Sequence, residues 1–131
     1  MWPFAKPKPI PPGVIIRNVL GEEIDRVEGV WRLANANLHH RQWAHADLSG
    51  MSLDGANCEG INLLGARLVR TSFCRADLRN ANLAYALIDG ADFRRAHLDG
   101  VDLLHTNIRL TQLDDAIITP ASTIPGIRLV E

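Results

Sequence analysis

His39, His40 and His45 stand close together in this chain, and clustered imidazoles are a common way to hold zinc. Ser49, Ser52 and Ser72 offer hydroxyls and Cys58 and Cys74 offer thiols, but no obvious general base accompanies any of them. The chain contains no phosphate-binding Walker loop, no HExxH, no GxSxG and no CxxC. Whether the histidines converge on one ion depends on the elements that carry them.

Those elements are set by a beat of five. Every fifth residue from Leu33 to Ile118 is apolar, with no insertion or deletion: Leu33, Leu38, Trp43, Leu48, Leu53, Cys58, Leu63, Leu68, Phe73, Leu78, Leu83, Ile88, Phe93, Leu98, Leu103, Ile108, Leu113 and Ile118. Period five is neither helical nor that of a simple strand. A fixed repeat too short to own a core implies a solenoid, in which each unit buries its apolar side against its neighbours. Two residues before each centre the side chain is usually small, as at Ala46, Ala56, Ala76 and Ala96. The residue just before the centre is often Asn or Asp, and Gly recurs two after it, at Gly50, Gly55, Gly60, Gly65, Gly90 and Gly100. These residues suit tight corners.

Ala46-Asp47-Leu48-Ser49-Gly50, Ala76-Asp77-Leu78-Arg79-Asn80 and Ala81-Asn82-Leu83-Ala84-Tyr85 resemble the A-[DN]-L-x-x signature of the pentapeptide-repeat family. The resemblance implies an all-β fold, a right-handed quadrilateral parallel β-helix with four pentapeptides per coil. This chain would make about four to five coils, a shaft roughly 20–25 Å long. Residues 20 apart then stack in columns, which places Phe73 on Phe93. Leu48, Leu53, Leu63, Leu68, Phe73, Leu78, Leu83, Ile88, Phe93, Leu98, Leu103 and Ile108 are assigned to the structural core. Arg41-Gln42-Trp43 breaks the pattern, with Arg in the place of Ala and Trp in the place of Leu. A bulge or open first coil is expected there, with Arg41 turned outward and Trp43 partly filling the end, because an unpaired buried Arg costs too much.

At 131 residues the chain is read as one domain. Residues 1–13 are Pro-rich and read as a mobile tail that carries Trp2 and Phe4. Residues 14–30 hold Val14-Ile15-Ile16 and Ile24-Asp25-Arg26-Val27 around Leu20-Gly21-Glu22, the pattern of a capping β-hairpin. The β-helix is assigned to 31–118, and 119–131 to a C-terminal cap or dimer contact. No apolar run is long enough to span a membrane, and Met1 is not followed by a leader-like stretch. Cys58 should point inward and Cys74 outward, which argues against a bridge between them. A reducing cytoplasm is the expected compartment.

On the shaft, His39 and His40 share one side while His45 belongs to the next, and His97 and His105 lie roughly 14 Å away along the axis. The histidines are therefore not read as a metal site, and no cofactor is expected. Net charge is −1, so no overall field steers the chain to nucleic acid. Arg75, Arg94 and Arg95 share the first side with Asp54, Asp92, Asp114 and Asp115, and cross-coil ion pairs are expected to neutralise them. Some members of the resembling family mimic DNA and protect type II topoisomerases such as DNA gyrase. That mechanism needs a continuous acidic face, which Arg residues interrupt here. The third side lacks charge: Ala44, Leu64, Ala84 and Leu104 form one outward column, and His45, Gly65, Tyr85 and His105 the next. A smaller patch of Val69, Leu87 and Leu110 lies on the fourth side. The expected function is a non-catalytic protein-interaction or scaffolding module, with Ala44, Leu64, Ala84, Tyr85, Leu104 and His105 as its face. The alternatives are a topoisomerase-protecting DNA mimic and a purely structural module. The expected partner is a protein, with a homodimer through a shaft end as a further option.

Overall fold

The computed structural model describes residues 6–108 and 111–118. Trp2 and Phe4, Leu110 and the segment 119–131 lie outside the described residues. The fold is built from one local event repeated. The carbonyl of each repeat centre accepts the N–H three residues on, from Ala36→Leu33 to Ala116→Leu113, at 2.9–3.3 Å. Within each turn whose corner residue is described, the residue two after the centre has a positive φ, the type II pattern. Glycine suits that conformation at Gly50, Gly55, Gly60, Gly65, Gly90 and Gly100, but Asn35, His40, His45, Arg70, Arg75, Asn80, Tyr85, Arg95, His105 and Asp115 also adopt it, at φ 56–60°.

Between turns the chain runs extended for too few residues to form long strands, and it pairs one coil with the next. Parallel bridges join residues 20 apart, from Asn37↔Asn57 to His97↔Ile117. Each short strand is held from both sides: Asn57 N–H donates back to Ala36 (2.9 Å), and Leu38 N–H donates forward to the Asn57 carbonyl (2.7 Å). Four turns close each coil, so the cross-section is four-sided.

The centres point inward and fill the shaft. Those from Leu33 to Leu103 are at most 2% exposed. Phe73 and Phe93 lie parallel with ring centroids 5.2 Å apart, in the offset-to-stacked range favourable for aromatic pairs. Thr71 occupies a position usually filled by Ala, and its hydroxyl donates to the Leu48 carbonyl at 2.9 Å, so its burial leaves no orphan group. Ile108, assigned to the core from its place in the beat, is only partly buried, as are Leu113 and Ile118. They belong to the last described coil, which has no further described coil stacked beyond it.

The other end is covered by an antiparallel hairpin, β1 (Val14–Arg17) and β2 (Glu23–Val27). Alternation along the strands buries Ile16 and Val27 on the first coil and leaves Ile15 and Ile24 outward. Asn18 closes the turn by accepting the N–H groups of Leu20 and Glu22. The hairpin also joins the shaft through main-chain bonds, Val19 N–H to His45 (2.9 Å) and Asp47 N–H to Arg17 (2.8 Å).

The irregular unit at Arg41 resolves differently from the expectation. There is no bulge: Gln42 bridges Asn62 in the ordinary register. Trp43 is not a partial plug but is fully buried. Arg41 does leave the interior, and Asp25 on β2 receives it at 3.0 Å. The same carboxylate accepts the Trp43 indole N–H at 2.7 Å. The repeat backbone can stay regular because the hairpin supplies the missing acceptor.

Candidate interaction surface

Residues one and two after each centre form the corners, and the left-handed residue of each corner leans along the axis toward the next coil. A Cβ added at Gly65 would lie 2.6 Å from His45 Nδ1, so the His45 ring already occupies that space. One coil on, Tyr85 leans over His105, and the two rings stack with centroids 4.8 Å apart. The third side therefore ends in an aromatic step. Tyr85 is 57% exposed and Leu104 39%. Leu87, two residues past Tyr85 and around the corner on the fourth side, is 54% exposed.

The six residues assigned to the face do not contribute equally. Ala84 is buried, and Ala44 and Leu64 are only partly exposed. The most exposed apolar side chains of this face are Tyr85 and Leu104, beside His105, and Leu87 on the fourth side is exposed as well.

The charged residues also pair differently from the expectation. Cross-coil pairs exist but are long, Arg67–Asp47 at 3.9 Å and Arg79–Glu59 at 3.6 Å. The short pairs join residues on either side of one centre: Arg79 to Asp77 and Arg94 to Asp92, both 2.7 Å. Residues two apart on an extended segment project to the same side, so the spacing Asp77-Leu78-Arg79 and Asp92-Phe93-Arg94 carried the signal. The guanidinium of Arg94 donates twice to Asp92 and holds its carboxyl down at about 2. Arg79 lowers Asp77 in the same way.

A groove of about 530 Å³ runs along the first side, lined by Asp54, Cys74, Arg75, Arg94, Arg95, Asp114 and Asp115. Asp54 accepts from the Ser72 hydroxyl and from Cys74 N–H. Cys74 is half-buried at its wall, whereas Cys58 is sealed inside, and burial pushes its thiol up to about 12. The histidines do not converge: His39 and His40 meet edge to face at 5.3 Å, and His45 belongs to the following corner. Among the described residues no group of three potential ligands could hold a metal ion.

A family model described as pentapeptide repeats matches in eight copies, over residues 32–68, 58–94 and 76–115. The chain belongs to the pentapeptide-repeat family. Its four-sided shaft is accordingly the right-handed quadrilateral β-helix of pentapeptide-repeat proteins. One similar solved structure is a pentapeptide-repeat protein of the Arabidopsis thaliana thylakoid lumen, with 25% identity and a TM-score of 0.66 over 69% of this chain and 62% of that one. Another is HetL, a pentapeptide-repeat protein involved in heterocyst differentiation regulation in the cyanobacterium Nostoc, with 23% identity and a TM-score of 0.56 over 71% of this chain and 46% of that one. The pentapeptide-repeat chain thus spans less than two thirds of either solved relative. QnrB1, a plasmid-mediated fluoroquinolone resistance protein, aligns at 22% identity with a TM-score of only 0.30. No curated protein matches the chain significantly. No helix among the described residues is long and apolar enough to cross a membrane.

Proposed function

We propose that this pentapeptide-repeat protein is a non-catalytic interaction module that presents a rigid apolar corner to a protein partner. The observation that carries this reading is the aromatic step, with Tyr85 stacked on His105 and exposed beside Leu104 and Leu87. Exposed apolar groups gathered at one place on a surface are typical of recognition sites. The backbone beneath is bonded to the next coil, with Tyr85 N–H donating to Leu104 at 2.8 Å, so a partner would meet a surface that needs little ordering.

The ion pairing weighs against the DNA-mimic alternative. Asp77, Asp92 and Asp47 each face an Arg, which breaks the continuous acidic surface that such mimicry requires. The two free thiols favour a reducing compartment such as the cytoplasm, and the lumenal origin of the Arabidopsis relative is a property of that protein.

The test is affinity capture from the source cell's lysate with the wild type and a Tyr85→Arg/Leu104→Glu variant side by side. Both side chains lie outside the shaft, so the variant keeps its fold by circular dichroism. A partner retained by the wild type and lost by the variant supports the corner as the interface. An identical partner profile removes the corner from consideration, and capture of a topoisomerase by both forms would favour the mimic.

A further inference from the structure

The groove on the first side carries charges that the apolar corner does not use. Arg94 is engaged by Asp92, and Asp54 by Ser72 and Cys74. Arg75, Arg95, Asp114 and Asp115 also line the groove, and none of them forms an ion pair among the described residues.

The coil sets their order. Arg75, Arg95 and Asp115 occupy the same corner of three successive coils, with Asp114 one residue before Asp115. At about 4.8 Å per coil, two cations and two anions are laid out along roughly 10 Å. Stacking Arg on Arg is unfavourable by itself. All three corner residues also hold left-handed backbone, at φ 56–59°, where the preceding coil has Gly55. That conformation costs a non-glycine residue about 1–2 kcal/mol. The same backbone recurs at non-glycine corners all around the shaft, so it belongs to the repeat, and what is particular to the groove is the stacking of like charge against electrostatic preference.

The geometry points to a binding site for a small zwitterion of dipeptide size, its carboxylate held by Arg75 and Arg95 and its ammonium by Asp114 and Asp115. Guanidinium forks match carboxylates in two-point hydrogen bonds. Two extended residues separate the charged ends of a free dipeptide by about 7 Å, within the span of the four groups. The groove, about 530 Å³ and open to solvent, has room for a molecule of that size. A plain anion would be repelled by the two aspartates and a plain amine by the two arginines, so only a ligand with both charges matches the whole row.

The experiment is a titration of the full chain with L-alanyl-L-alanine, its N-acetyl form and its C-terminal amide, followed by amide NMR. The free dipeptide is expected to give saturable shifts at Arg75, Arg95 and Asp115, and each capped form to bind at least about tenfold more weakly. Arg75→Gln/Arg95→Gln and Asp114→Asn/Asp115→Asn should each abolish the shifts and leave the core resonances and melting curve unchanged, because all four side chains are exposed. An N-acetyl form that binds as well as the free dipeptide would overturn the proposal in favour of a simple anion site. Absence of saturable shifts at millimolar ligand would overturn it altogether.

Discussion

At the scale of single residues, Asp25 does more than its exposure implies. It accepts from the Trp43 indole (2.7 Å), the Arg26 N–H (2.7 Å) and the Arg41 guanidinium (3.0 Å). Burial pushes its carboxyl up, but the bonds from Trp43, Arg26 and Arg41 outweigh it and hold the group below the usual range. Asp25→Ala would leave the N–H of a fully buried tryptophan without an acceptor, and a loss of about 1–3 kcal/mol is expected in urea denaturation. Asp25→Asn, which keeps an acceptor oxygen, should lose less. Gly60 is demanding for a different reason. It holds φ +63°, and an added Cβ would lie 2.4 Å from His40 Nδ1. Gly60→Ala is expected to cost at least about 1–2 kcal/mol. Comparing it with His40→Gly/Gly60→Ala separates the two causes: the crowding disappears in the double variant and the backbone strain remains.

At the scale of the element, each pentapeptide is a turn plus one inward side chain, and it has no core until coils stack. Substitutions at the centres therefore act on two coils at once. Phe73→Ala removes a ring packed flat on Phe93 and should cost about 3–5 kcal/mol by denaturant titration, with the cavity accounting for the upper part of that range. Leu78→Asp would place a carboxylate in an interior position that is 0% exposed. Loss of the β-helix circular dichroism signal is expected. A folded Leu78→Asp protein would show that the register is wrong.

At the scale of the molecule, stability depends on carboxylates distributed over the cap and the shaft. Asp25, Asp77 and Asp92 are all held below their ordinary value of 3.8, Asp92 at about 2 by its hydrogen bonds with Arg94. A carboxyl depressed in the folded state stabilises fully above its unfolded pKa, and this contribution is lost as pH falls through the folded pKa. Denaturant titrations at a series of pH values should show stability declining from about pH 4 toward pH 2. Asp92→Asn should flatten that decline. An unchanged slope in this variant would show that the Arg94 pair contributes nothing in solution, as many exposed pairs do.

The sequence alone determined the shaft, because its causes are local. An inward side chain, a small neighbour and a left-handed turn residue recur at fixed spacing, and a turn closed within four residues needs no distant partner. The stack of Phe73 on Phe93 was legible for the same reason, since a constant coil length turns sequence separation into a column. Only the tertiary structure decided what depends on how the ends and corners pack. Asp25 meets Arg41 and Trp43 across 16 and 18 residues because the hairpin lies on the first coil, and no local pattern encodes that approach. Ala84 is buried while Tyr85 beside it is exposed, a difference that a list of columns does not represent. Ile108 has the residue type of a core position, but its burial depends on what lies beyond the last coil. Local repetition specifies the backbone path, and solvent exposure is a property of the assembled surface.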